Sequence, residues 1–248
     1  MRKINEAIKS DEKRTRKRHI LSDDTPFIIT EAYKMARTNL IFALSTSDKK
    51  VITFTSANPA EGKSTTAVNM AITLANTGSK VLLIDADMRK PTVHKLLKIN
   101  NPCGLSSIIS GQSSINEARN IKVKENLDVI TSGPIPPNPS ELLSSQKMIM
   151  AMDLLREKYD YICIDTPPIN VVSDALLLNT LSSGIVFVVR ENQTSHPALQ
   201  VALDNIKMTN GKVLGFIKVS CDIYGKGSRK GGSYSYNYEY KHKPQSAE

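Results

Sequence analysis

Residues 51–66 read VITFTSANPAEGKSTT, and the reading of this stretch decides the fold. Val51 to Thr55 is β-branched and aromatic, as a strand is, and Ser56 to Glu61 is a small-residue turn containing Pro59. Gly62-Lys63-Ser64-Thr65 opens a segment from Thr66 to Ala75 in which Ala67, Met70, Ala71 and Leu74 recur at helical spacing. Strand, loop and helix in that order predict a phosphate-binding loop made of Ala57, Asn58, Pro59, Ala60, Glu61, Gly62, Lys63, Ser64 and Thr65. In such a loop successive backbone N–H groups and a helix N-terminus point at one spot, which favours a polyphosphate. Lys63 is expected to reach the β- and γ-phosphates, and the Ser64 hydroxyl to hold Mg²⁺. Alanine replaces the usual first glycine at position 57, which is tolerable if that residue keeps a negative φ.

Downstream, Lys80 to Ile84 (KVLLI) is continuously apolar, as a buried parallel strand should be, and runs into Asp85-Ala86-Asp87-Met88-Arg89. Two carboxylates and an arginine thus stand at a strand's C-terminal end, where ligands sit in open α/β sheets. Leu127 to Thr131 is a weaker strand, and Pro134 to Pro139 a proline-rich loop that Ser140 closes as N-cap of a long helix, Glu141 to about Lys158. Tyr159 to Ile164 then reads as a buried strand ending in Asp165-Thr166-Pro167-Pro168, an acid suited to a magnesium site. Asp174 to Leu181 is expected to be helical, Ile185 to Val189 a core strand, Pro197 to Met208 a helix and Val213 to Val219 a closing strand. Strands alternating with helices predict an α/β fold: a parallel sheet with helices on both faces, of the phosphate-loop NTPase kind. Upstream, Thr30 to Ala43 has helical spacing, with Thr30 as expected N-cap and Glu31, Lys34 and Arg37 on roughly one face.

Of the 248 residues 40% are apolar and none is tryptophan, an ordinary composition for one α/β domain with a sizeable core. No apolar run approaches the roughly 18–20 residues a membrane span needs, and the charged N-terminus has no apolar stretch behind it, so neither a span nor a signal peptide is expected. Cys103, Cys163 and Cys221 form no C-x-x-C pair and read as reduced cytosolic thiols; the four histidines have no metal-ligand spacing. The net charge of +9 is crowded at the ends. Eight basic residues fall among the first eighteen, predicting a flexible basic arm over 1–24 that is either solvated or drawn to an anionic membrane surface or nucleic acid. The domain itself is expected over 25–221. Residues 222–248 are glycine-rich and carry five of the eight tyrosines: Tyr224, Tyr234, Tyr236, Tyr238 and Tyr240. A flexible tail presenting phenols is expected there.

Glu31-Ala-Tyr-Lys-Met-Ala-Arg37, the Ala57–Ser64 loop, Asp85-Ala-Asp87-Met-Arg89-Lys-Pro91, Asp165-Thr-Pro-Pro168 and the tyrosine-rich end together resemble the bacterial tyrosine kinases of capsule and exopolysaccharide systems, the cytoplasmic CpsD-like or CapB-like type. The resemblance covers nearly the whole chain from Thr30. It implies transfer of the γ-phosphoryl group of ATP, with Mg²⁺, to tyrosines of the enzyme's own tail and of neighbouring copies. Lys63 would neutralise the phosphates, and Ser64 and Asp165 would organise the metal. Asp85 and Asp87 would complete its water shell, with Asp85 preferred for orienting or deprotonating the phenol, and Arg89 would join the nucleotide-contacting set. It further implies a transmembrane chain-length adaptor that activates the enzyme at the inner face of the membrane. A ring, octameric in the family, would close through Glu31, Lys34 and Arg37. Nucleic acid is not an expected partner. Lys34 stands where the family commonly has arginine, and Val219 where relatives end in an asparagine thought to contact the base, so no base-binding residue is carried over. Two other readings share the nucleotide motifs: a ParA- or MinD-like partitioning ATPase, which usually carries a further lysine early in the loop that is missing here, and a non-catalytic nucleotide switch.

Overall fold

The computed structural model describes residues 20–47 and 50–220. Seven strands form one sheet: β1 (Val51–Ser56), β2 (Val81–Asp85), β3 (Arg119–Lys124), β4 (Leu127–Ile130), β5 (Tyr161–Asp165), β6 (Gly184–Arg190) and β7 (Val213–Val219). Their order is β3-β4-β2-β5-β1-β6-β7, and every pairing is parallel except β3 with β4. Each central strand is buried on both faces. Ile52, Phe54, Leu83 and Cys163 meet one core, while Val51, Leu82, Ile84, Ile162 and Ile164 meet the other, which explains their unbroken apolar runs.

Helices α1 (Phe27–Ala43) and α2 (Lys63–Ala75) cover the first face. Eleven of the thirteen α2 residues are buried, and its small Ala67, Ala71 and Ala75 let the helix lie close to the sheet. Helix α3 (Val93–Leu97) lies on the same face, where Val93 joins the first core; the opposite face is covered in part by short α4 (Leu105–Ser110) and α5 (Ile115–Ala118), with Leu105 and Ile109 in the second core. The rest of that face is packed by α6 (Pro139–Leu143), α7 (Gln146–Arg156), α8 (Asp174–Leu177) and α9 (His196–Met208).

Four expectations change. Helix α1 begins at Phe27 after Pro26, so Thr30 is not its N-cap but lies within its first turn, bonded through Oγ1 to the Pro26 carbonyl. The expected helix from Glu141 to Lys158 is two helices, because Ser144 ends the first segment and Ser145 caps the second by accepting from Met148 N–H; Ser140 is inside α6 rather than its cap. Asp174–Leu181 divides into α8 and a 3₁₀ turn, Asn179–Leu181. The end of the expected arm is packed: Leu21 is buried, its N–H bonds Asn69 Oδ1 at 2.9 Å and its carbonyl accepts from Lys124 Nζ at 3.1 Å. The stretch 111–126 contains α5 with a Ser114–Glu117 capping box and the antiparallel edge strand β3. No helix of the described residues is long and apolar enough to cross a membrane.

Candidate functional site

Three adjacent strands, β2, β5 and β1, end together. Their register sets Asp85 opposite Asp165 and Asp165 opposite Phe54, two residues before the phosphate loop begins to leave β1. Thr166 bonds the Phe54 carbonyl through its N–H and its hydroxyl, and Thr55 Oγ1 bonds the Pro167 carbonyl, so the two strand ends are pinned to each other.

Lys63 opens α2 and turns its ammonium back to the acids. Its Nζ lies 2.8 Å from Asp87 Oδ2, 3.5 Å from Asp165 Oδ1 and 3.1 Å from Ser64 Oγ, with only 10% of the side chain exposed. Burial pulls its pKa down, but Asp165 and Asp87 outweigh burial and hold it above the ordinary lysine value. Asp165 is wholly buried and bonds Ser64; burial raises its carboxyl against the pull of Lys63 and that hydroxyl. Asp85 is held otherwise. Its Oδ1 accepts from Asp87 N–H, and its Oδ2 from Thr92 and Val93 N–H, so the carboxylate ties the loop after β2. Burial, then the charge of Asp165, pushes Asp85 up to about 8.

Two acidic side chains, Asp87 and Asp165, face one ammonium, an excess of acid over base. The buried Asp165 Oδ2 has no hydrogen-bond partner among the described residues, and Ser64 adds a hydroxyl oxygen. Such hard oxygen donors fit Mg²⁺, which keeps several waters and takes substrate phosphate oxygens as well.

The loop is built as the sequence suggests, with its strain moved. Ala57 is buried and not among the residues of positive φ; those positions are Ala60 (φ 66°) and Gly62 (φ 93°). Ser56 Oγ bonds the Asn58 carbonyl at 2.9 Å, and buried Glu61 accepts from Asn58 N–H at 3.0 Å and from its side-chain amide at 3.4 Å. From outside, Arg190 Nη1 donates to the Ala60 carbonyl at 2.9 Å and Gln193 Nε2 to the Pro59 carbonyl at 3.3 Å. Thr65 follows Ser64 in the first turn of α2.

Arg89, expected among the nucleotide contacts, is engaged elsewhere. Its Nε bonds Asp174 Oδ2 at 2.9 Å, and Nη2 bonds Asp174 Oδ1 at 3.2 Å and Ser140 Oγ at 2.8 Å; Ser140 in turn donates to Asp174 at 2.8 Å. This clamp joins the loop carrying Asp87 to α6 and α8. On α1, Glu31 and Lys34 pair with each other at 2.8 Å, and Arg37 Nη1 donates to the Thr73 carbonyl of α2 at 3.0 Å. Tyr224, Tyr234, Tyr236, Tyr238 and Tyr240 lie outside the described residues.

Sequence reasoning missed Asp174, Ser140 as its partner, Arg190 and Gln193. Arg190 ends a strand that was recognised, IVFVV, and a basic residue at the C-terminal end of a core strand was the available signal. Asp174 had none.

A protein-family model described as an AAA domain matches residues 49–214. The tyrosine-protein kinase YwqD of Bacillus subtilis is 42% identical over 207 residues, 84% of this chain and 85% of that one. The tyrosine-protein kinase wzc of Salmonella typhimurium is 33% identical over 225 residues, 90% of this chain but 31% of that longer protein. Among solved structures, the kinase domain of Escherichia coli tyrosine kinase ETK aligns with a TM-score of 0.75 at 30% identity, over 92% of this chain and 90% of that one. The chimerical protein CapA2B2 gives 0.74 at 38% identity, over 79% and 85%. A plasmid partition protein from Borrelia burgdorferi gives 0.55 at 27% identity, over 69% and 78%.

Proposed function

Because this chain belongs to the bacterial tyrosine-protein kinases, we propose that it transfers the γ-phosphoryl group of ATP to tyrosines of its own C-terminal cluster, one copy acting on another. The observation that carries this is the meeting of Lys63, Ser64, Asp87 and Asp165 at three strand ends, with Lys63 Nζ 2.8 Å from Asp87. Phosphoryl transfer demands alignment and charge neutralisation more than covalent help. Bound ATP offers Lys63 its β- and γ-phosphate oxygens in exchange for the carboxylates. Ser64 and Asp165 would hold Mg²⁺, which when bound neutralises charge on the phosphates. Of the two acids after β2, we assign the phenol to Asp87, which takes one backbone N–H, from Lys90, and would release Lys63 to the phosphates, whereas Asp85 is occupied by three backbone N–H groups. Asp87 orients the incoming hydroxyl and takes its proton as the phenol oxygen bonds to phosphorus and the bond to the ADP oxygen breaks. This replaces the preference for Asp85 drawn from resemblance.

The outer face of α1 supports assembly into a ring. Ile28, Met35 and Phe42 recur every seven residues, Met35 and Phe42 being 69% and 72% exposed, around the Glu31–Lys34 pair. A neighbouring copy would cover this stripe, and would bring its tail within reach. Partnership with a transmembrane adaptor, a place at the inner membrane face and control of capsule or exopolysaccharide export belong to the same reading. The partitioning ATPase is disfavoured by its looser structural likeness, 0.55 against 0.75.

The test is incubation of the full chain with ATP and Mg²⁺, with the adaptor's cytoplasmic segment supplied, followed by mapping of phosphotyrosine. Modification of the tail that vanishes in Lys63→Met is expected. Phosphate release without phosphotyrosine would favour the ATPase.

A further inference from the structure

The phosphate loop has an inner part that ties itself and an outer turn that does not. Asn58 and Glu61 close the inner part on each other, and Asn170 N–H holds the Ala57 carbonyl at 3.2 Å. Pro59 and Ala60 form the exposed outer turn. Ala60 sits at φ 66°, a left-handed conformation that is strained for a non-glycine residue and persists only where its surroundings hold it. The side chains that hold it come from the end of β6. Arg190 and Gln193 project from a turn that is itself tied: Arg190 N–H bonds Thr194 Oγ1 at 2.8 Å, Thr194 N–H bonds the Arg190 carbonyl at 2.9 Å, and Glu191 N–H bonds the Val219 carbonyl at 3.1 Å.

A trans peptide points its C=O and N–H in opposite directions. When Arg190 draws the Ala60 carbonyl outward, the Glu61 N–H of the same peptide faces away from Arg190. When Gln193 draws the Pro59 carbonyl, the Ala60 N–H faces away from Gln193. Neither N–H has an acceptor among the described residues. Two unpaired donors side by side are what a phosphate oxygen takes.

We propose that Arg190 and Gln193 are positioning residues that set the phosphate-binding turn before the nucleotide arrives, by anchoring the carbonyls on the far side of the two peptides that donate to it. The proposal rests on the ATP site proposed above. Its consequence is specific: loss of the anchor weakens every ligand that uses the turn, irrespective of base and sugar, and leaves the transfer step at saturation untouched.

The experiment measures binding of Mg-ATP, Mg-ADP and magnesium tripolyphosphate to the full chain by calorimetry, with the KM and kcat of phosphotyrosine formation alongside. Arg190→Ala should weaken all three ligands on the order of tenfold and raise KM equally with kcat unchanged, and Gln193→Ala should weaken them about twofold. Arg190→Lys keeps one donor and should recover most of the affinity. Weakening of ATP and ADP without tripolyphosphate would show Arg190 reading base or sugar, and would overturn the proposal. So would affinity within twofold of wild type in Arg190→Ala, or no recovery in Arg190→Lys. If Arg190→Ala does not fold, Gln193→Ala and Arg190→Lys decide. A wild-type chain that binds ATP but transfers nothing would strike the kinase chemistry and leave the anchor standing, whereas one that binds none of the three would remove the ATP site and the anchor with it.

Discussion

The phosphate loop is held from two sides by opposite means. On the side of β2 and β5, Lys63, Asp87 and Asp165 are charged and no more than 10% exposed. On the side of β6, Pro59 and Ala60 are exposed and are tied through their carbonyls to Arg190 and Gln193. Coulomb interactions grow several-fold as water is excluded, so charge that must act on a reacting phosphate belongs on the buried side. A hydrogen bond that competes with water is worth only about 1 kcal/mol, enough to fix a turn and too little to drive chemistry. The two sides should therefore fail differently.

Breaking the acid side gives the largest effect. Asp165→Asn should lower phosphotyrosine formation about a thousandfold, as removal of preorganised charge does elsewhere. The ligand-free melting temperature should not fall, because the lost carboxylate has an unpaired buried oxygen and stands where acid outnumbers base. Equal losses of activity and stability would reduce the acid to a scaffold. Asp87→Asn should lower kcat about a hundredfold with little change in KM for ATP. A change in KM alone, the signature assigned to Arg190, would erase the distinction.

A titration of stability sharpens the comparison further. The Asp85 carboxyl is raised from 3.8 to about 8 by burial and by Asp165. Between those values the folded chain keeps a proton that the unfolded chain has released, so stability of the ligand-free protein should fall as pH rises through that window, and no further from this group above it. Melting temperatures from pH 5 to 8.5 read this directly; Asp85→Asn should flatten the slope and Arg190→Ala should keep it. The smallest effect is expected at the Arg89 clamp. Asp174→Asn keeps one acceptor for the guanidinium and should lower the melting temperature by roughly 2–4 °C.

The fold was largely readable because its central strands are apolar on both faces and each ends in a chemical signature, SANPAEGKST, DADMR or DTPP. What escaped was set by contacts between distant segments. Ser144 and Ser145 break the helix after Pro139, a break that helical periodicity does not register since Met148, Met152 and Leu155 continue the stripe. The strand β3 is an irregular edge, with Lys122 at φ 50° and only Arg119, Asn120 and Lys124 in register. At the site, the residue types were legible but their partners were not. Asp85 and Asp87 are two apart in sequence, yet Asp85 holds three backbone N–H groups while Asp87 holds Lys63 and the Lys90 N–H, a division imposed by the turn at Lys90 to Val93. Arg89, expected to contact the nucleotide, is held here by Asp174, 85 residues away, a pairing that no local pattern announces.

The most direct measurement mixes wild-type chain with a tagged Lys63→Met copy, adds ATP and Mg²⁺ with the adaptor segment present, and maps phosphotyrosine on each copy separately. The account predicts modification of Tyr234, Tyr236, Tyr238 and Tyr240 on the tagged copy in the mixture and none when it is incubated alone. Phosphotyrosine on the tagged copy alone, or on neither copy in the mixture, would contradict it.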